Sequence, residues 1–232
     1  SITLEVEGSQ KPQFQAKLFK IDGDKAEVAN KDEADKILKS LEGASPVLEN
    51  IVKKERKRNP SAPFITSTLQ QEASRKLNFS PKKTMMLAQR LYEGITLGKK
   101  GTVGLITYMR TDSVRLSDQA LEEVRAFVPE KYGKEYLPAK PNTYKSKKSA
   151  QEAHEAIRPT DVQLEPNTLK DHLEKDSFRL YQLIWSRFVS CQMVPAVLDT
   201  TQFDIQSGNY LFRSNGSILK FAGFMKVYVE SQ

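Results

Sequence analysis

Tyr108 and Arg110 stand two residues apart in GLITYMRTDS, residues 104–113. There an apolar run that reads as a strand, Gly104 to Thr107, gives way to a polar turn. Side chains at i and i+2 of an extended chain share a face, so a guanidinium and a phenol oxygen can meet the same anion. A phenol, with an ordinary pKa of about 10, is a poor nucleophile near neutrality. A fixed cation stabilises the phenolate and clamps a phosphate within its reach. Tyrosine suits a phosphodiester because the phosphotyrosine ester conserves the bond energy, so a broken backbone can be resealed without ATP. Thr107, Thr111, Asp112 and Ser113 add polar groups around the pair. The competing reading is a strand tyrosine packed into the core, and the spacing alone does not choose.

His154 is the second candidate. In SAQEAHEAIRP it sits between Glu152 and Glu155, with Arg158 four residues on. On a helix that spacing shares a face, and the pair could hold a phosphate; a solvated helix histidine is the alternative. His172 reads as solvated. The run KYGKEYLPAKPNTYKSKKSA interleaves Tyr132, Tyr136 and Tyr144 with lysines that include Lys145, Lys147 and Lys148. Aromatics among cations suit single-stranded nucleic acid. KKERKR at 53–58 offers another basic patch, and either run could equally be a solvated face. Asp22-Gly23-Asp24 reads as a hairpin turn rather than a magnesium site. The lone Cys191 excludes an intrachain disulfide and a cysteine metal site, and together with Trp185 it reads as core.

The 232 residues are 38% hydrophobic and 28% charged, with net charge +7, which favours a polyanionic partner. No apolar run approaches the roughly 18–20 residues that span a bilayer, so the expectation is a cytoplasmic chain with no membrane partner. The ends suggest a piece of a longer polypeptide whose remaining domains are partners.

The elements that must position these residues follow from periodicity. Residues 2–7 and 13–21 alternate as strands, and 25–28 closes a hairpin across Asp22-Gly23. KDEADKILKSLE is helical, and Pro46 to Val52 is extended. Two helices follow, TSTLQQEASRKL and PKKTMMLAQRLYEG, the second capped by Ser80 with Pro81 at its first position. With the strand pair after them, they outline a winged helix-turn-helix. Ser117 caps a helix to about Val128, 129–150 reads as loop, QEAHEAIRPTD as a helical turn stopped by Pro159, and 168–194 as the longest helix. Short strands at 200–206, 210–214, 218–221 and 224–229 close the chain, with turns at 207–209 and 215–217. The fold class expected is α+β: a helical, winged-helix-like (CAP-like) domain at 59–195 inserted into an antiparallel β-rich domain formed by 1–58 and 196–232.

GLITYMRTDS, PFITSTLQQEASRKLNFSPKKTMMLAQRLYEG and SAQEAHEAIRPTDV together resemble the bacterial DNA topoisomerase I family, of type IA. The resemblance runs from about Ala62 to Pro195 and more loosely through both β-rich flanks, including ILKFAGFMKVY. It implies that Tyr108 attacks one strand of DNA to form a 5′-phosphotyrosine link and free a 3′-hydroxyl. A strand then passes, the break is resealed and negative supercoils relax. Arg110 stabilises the phosphate, Asp112 supports the motif, and His154 contacts DNA near the break. The β-rich part becomes an arch and hinge. The family's Toprim domain, with its acidic magnesium cluster, has no counterpart here. Mg2+ is thus expected only in the full-length enzyme, and this piece is expected to be inactive alone. Thr111, Ser113, Lys145, Lys147, Lys148 and Arg158 are further candidates for single-stranded DNA contact. The alternative function is a non-catalytic winged-helix module that binds single-stranded nucleic acid. A tyrosine recombinase fits less well, because there the nucleophile generally follows its Arg and His partners along the chain.

Overall fold

The computed structural model describes residues 2–7, 13–98, 101–145 and 154–230. In chain order the elements are β1 (Thr3–Val6), β2 (Phe14–Ile21), β3 (Asp24–Lys25), α1 (Lys31–Leu41), β4 (Val47–Arg58), α2 (Thr66–Leu77), α3 (Pro81–Glu93), β5 (Ile95–Thr96), β6 (Thr102–Val103), α4 (Asp118–Tyr132), α5 (Lys175–Cys191), β7 (Ala196–Ser207) and β8 (Tyr210–Phe221). They form two compact units, Ser1–Lys57 with Val197–Phe221, and Arg58–Ala196 with Ala222–Gln232.

The first unit is a sheet in the order β1-β2-β8-β7-β4, with β3 added to β2. The pairings β1–β2, β2–β3, β2–β8 and β7–β8 are antiparallel. Alternation on β2 turns Ala16 inward and Gln15 and Lys17 outward. Asp22 (φ 51°) and Gly23 (φ 90°) supply the left-handed pair that a two-residue hairpin needs. On α1, Asn30 caps the amide of Glu33, and Ala34, Ile37 and Leu41 meet a cluster of Ile2, Ala16, Ile205 and Phe212. That cluster is the core of the unit.

In the second unit α2 ends on Asn78 in the left-handed conformation (φ 58°), which turns the chain into α3. Ser80 caps α3 through the amide of Lys83, with Pro81 in its first turn. α5 packs against both helices. Its apolar side chains Leu180, Tyr181, Ile184, Phe188 and Val189 are buried. Trp185 stacks edge-on against Phe127 of α4 at 5.7 Å and donates to Val162 O at 2.9 Å, so it is core.

Several expectations are corrected. The 104–107 run is not a regular strand; its one ladder contact is the bridge Ile106–Pro159. Residues 154–160 are extended rather than helical, held by that bridge and by Phe64–Ile157. Residues 215–217 make no turn, because β8 runs straight through them opposite Thr200–Gln202. The long helix begins at Lys175, after a 3-10 turn at Pro166–Leu169. Residues 224–229 are not a strand: Gly223–Lys226 is a 3-10 turn. This tail belongs to the helical unit, because Phe224 and Tyr228 are buried there. Phe224 N donates to Val194 O at 2.9 Å and Tyr228 Oη to Glu72 Oε2 at 2.7 Å.

Candidate active site

Three segments of the second unit build the site, and threonines fasten them. The hydroxyl of Thr66, at the start of α2, donates to Met109 O (2.8 Å) and Thr111 O (3.0 Å) and accepts from Thr111 N (2.9 Å). Thr66 N also donates to Thr111 O at 2.9 Å. On the other side, Thr107 Oγ1 donates to Ala156 O at 2.7 Å and accepts from Arg158 N at 3.0 Å, while Thr107 N donates to Arg158 O at 2.9 Å. The Tyr108–Arg110 turn is thus pinned at both ends. Gly104 sits hard against α3, where a Cβ would lie 2.7 Å from Tyr92 O. Leu105 N donates to Leu91 O at 2.7 Å.

Met109 is fully buried, so its neighbours on either side turn outward. The two-residue relation read from the sequence therefore survives without a strand. Tyr108 is 44% exposed, which removes the packed-core reading. Its ring stands edge-on between Tyr92 (5.4 Å between centroids) and His154 (6.4 Å). Tyr108, Arg110, Thr111, Asp112 and His154 line one open groove of about 700 Å3, together with Ile65, Thr66, Ser67 and Gln70 of α2 and the residue before it. Arg110 has no ion-pair partner among the described residues and is exposed. The phenol and the guanidinium thus belong to residues that line the same open groove.

The other candidates fall elsewhere. Ser113 is buried, its hydroxyl accepting from Arg115 N at 3.2 Å. Arg158 is bound to Glu155 (2.7 Å), Pro159 O (2.9 Å) and Ser117 Oγ (3.4 Å), so it braces the 154–160 segment instead of lining the groove. Burial raises the pKa of Glu155, but the hydrogen bonds from Arg158 and Ser117 outweigh that and hold it below the ordinary value. Lys145 is exposed and outside the groove; Lys147 and Lys148 lie outside the described residues. Two tyrosines of the lysine-rich run are structural. Tyr144 Oη donates to Cys191 O at 2.7 Å, and Tyr132 packs on Phe127, with burial pushing its pKa up to about 12. The α2 residues Thr66, Ser67 and Gln70 were not singled out from sequence. A threonine or serine in TSTLQQEASRKL reads as the helix cap, but the cap position is Ile65, and Thr66 in the first turn sends its hydroxyl to the distant tyrosine turn instead.

Among the described residues, no three His, Cys, Asp or Glu side chains gather as metal ligands. Asp112 and His154 alone do not fit a magnesium site, so the ion's ligands are not placed on these residues. No described helix is long and apolar enough to cross a membrane.

The sequence profile of the DNA topoisomerase family matches residues 2–232, and the chain belongs to that family. Within it the chain is of the bacterial topoisomerase I, type IA, kind. DNA topoisomerase 1 of Rickettsia bellii (strain RML369-C) is 50% identical over 236 residues, covering 99% of this chain and 29% of the relative. The full-length topoisomerase I of Thermotoga maritima, solved in a monoclinic crystal form, matches with a TM-score of 0.75 at 38% identity. That match covers 94% of this chain and 34% of that one. The chain therefore spans about a third of the length of these relatives.

Proposed function

We propose that this chain supplies the cleaving tyrosine of a type IA topoisomerase. Tyr108 Oη attacks a phosphorus of single-stranded DNA, a P–O bond forms to the phenol, and the P–O3′ bond breaks. The phenol gives up its proton, and the 3′ oxygen leaves as a hydroxyl. Attack by that hydroxyl reverses the step, so relaxation of negative supercoils needs no ATP. Arg110 offsets the charge gathered on the phosphate oxygens, His154 contacts the DNA beside the tyrosine, and Asp112 orients the turn. One observation carries this reading: a half-exposed tyrosine, in a turn pinned at both ends, shares an open groove with an arginine that has no ion-pair partner among the described residues.

Magnesium, where the full enzyme uses it, would be held by residues outside this chain. The chain alone then binds DNA without completing a relaxation cycle. The α2–α3 pair with β5–β6 serves as a winged-helix-like, CAP-like element, and the sheet unit as the arch and hinge. The site of action is the bacterial cytoplasm, at the nucleoid. The test is Tyr108→Phe within a full-length enzyme carrying this segment. Covalent capture of end-labelled single-stranded DNA on denaturation should vanish while binding persists. Capture by the Phe variant at the parental level would remove Tyr108 from the role.

A further inference from the structure

We propose that the sheet of the first unit carries its own binding site for the phosphodiester backbone of single-stranded DNA, with Lys54 and Arg56 as its cations. The inference rests on the nucleic-acid reading above but not on cleavage at Tyr108.

The basic run KKERKR lies on β4, where alternation sorts its charges. Val52, Lys54 and Arg56 line a cavity of about 350 Å3 with Thr200–Gln202 of β7 and Asn215–Ser217 of β8. Glu55, the one acid within the run, does not line it; it pairs with Lys220 at 2.8 Å. Asp204, near the far end of β7, is held by Arg213 through two hydrogen bonds of 2.7 and 2.9 Å. No carboxylate lines the cavity, and among the described residues Lys54 and Arg56 have no ion-pair partner. Both side chains are exposed. Two like charges about 6.6–6.8 Å apart along a strand repel each other unless an anion lies between them.

The lining is suited to such an anion. Thr201, Asn215 and Ser217 bring hydroxyl and amide groups. Gly216 leaves the strand bare, with nothing within 4 Å of the position a Cβ would take. Cations in a row along a strand match consecutive phosphates better than one isolated phosphate, which favours a polymer. The complementarity is of charge, so the affinity should depend on salt. This trough exists because residues 215–217 continue β8 instead of turning.

The test uses the chain itself and a labelled oligothymidylate of about 20 nucleotides, with binding followed by fluorescence anisotropy from about 50 to about 200 mM salt. Lys54→Gln with Arg56→Gln should weaken binding roughly tenfold at the low-salt end. It should also reduce the slope of log affinity against log salt by about 1.4, the value for two phosphate contacts on a single strand. Gly216→Glu, which meets no steric obstacle, should weaken binding as well by bringing a carboxylate into the trough. Arg110→Gln should lower affinity independently, so that its effect multiplies with the others. Unaltered affinity and salt slope in the Lys54/Arg56 and Gly216 variants overturns the proposal, as does failure of the parent chain to bind the oligonucleotide.

Discussion

Gly104→Ala probes the link between packing and the candidate site. The added Cβ would lie 2.7 Å from the carbonyl oxygen of Tyr92, a backbone atom at the end of α3 that cannot swing aside. Gly104 cannot retreat easily either. Its own carbonyl accepts from Thr160 Oγ1 at 2.7 Å, and the next amide donates to Leu91 O at 2.7 Å. Relief of the clash must stretch one or both bonds, each worth about 1 kcal/mol, and overpacking adds roughly 1–3 kcal/mol. The expected loss is about 2–5 kcal/mol. At roughly 2–4 °C per kcal/mol for a unit of this size, the melting temperature of the helical unit should fall by roughly 4–20 °C. The same shift moves the turn that carries Tyr108, so covalent capture by a full-length enzyme bearing the change should drop even where the protein is folded. Gly216→Ala, which meets open space, is the control and should change stability by less than about 0.5 kcal/mol. A Gly104→Ala melting curve that overlays the parent's would refute the claim that α3 fixes the tyrosine turn through this contact.

Other perturbations follow from the same geometry. Cys191 is fully buried, and burial pushes its thiol up to about 12, so alkylation at about pH 8 should be negligible in the native chain and rapid after denaturation; fast native labelling would contradict that burial. Asn142 donates to Cys191 O and Met193 O, both at 2.9 Å, and exchanges bonds with the Gln192 side chain. Asn142→Ala takes the side-chain donor from Met193 O, while Cys191 O keeps the Tyr144 hydroxyl and the backbone bonds to Gln192 persist, and should cost roughly 1–2 kcal/mol by denaturant titration. The hydrogen bonds from Arg213 hold the Asp204 carboxyl below its ordinary range, so its stabilisation is present above the unfolded value of about 3.9 and fades as pH falls through the lower folded value. Asp204→Asn should therefore melt below the parent at about pH 7, with the gap closing near pH 2; a constant gap would place the effect elsewhere than in the charge.

Local signals carried much of the fold. Ser80 and Ser117 cap helices where their side chains predict, Asp22-Gly23 turns a hairpin, and the β2 alternation gives the face that the core uses. The failures are positions where tertiary pairing overrides local chemistry. Asn215-Gly216-Ser217 has the composition of a turn, yet eleven register pairs with β7 hold β8 straight through it. FMKVYV alternates like a strand, but Phe224 and Tyr228 are buried in the helical unit, and a 3-10 turn brings both side chains there.

The site was legible where chemistry follows from types at short spacing, and opaque where it depends on distant partners. Tyr108 and Arg110 lie on the same side because Met109 between them is buried, a relation that survives the loss of the strand from which it was argued. The proposed helical pairing of His154 with Arg158 fails because the bridges at Ile157 and Pro159 extend the backbone. Extension separates their roles: His154 goes to the tyrosine ring and Arg158 to Glu155. Thr66 shows why part of the site could not be read. Its hydroxyl acts on Met109 and Thr111, more than forty residues away, and no cap preference contains that information. Position in the tyrosine turn is therefore set by hydrogen bonds from outside it. Thr66→Val, which keeps the shape and removes the hydroxyl, should loosen the turn and with it both Tyr108 and Arg110, so covalent capture of single-stranded DNA by a full-length enzyme carrying the change should fall, and capture at the parental level would refute this.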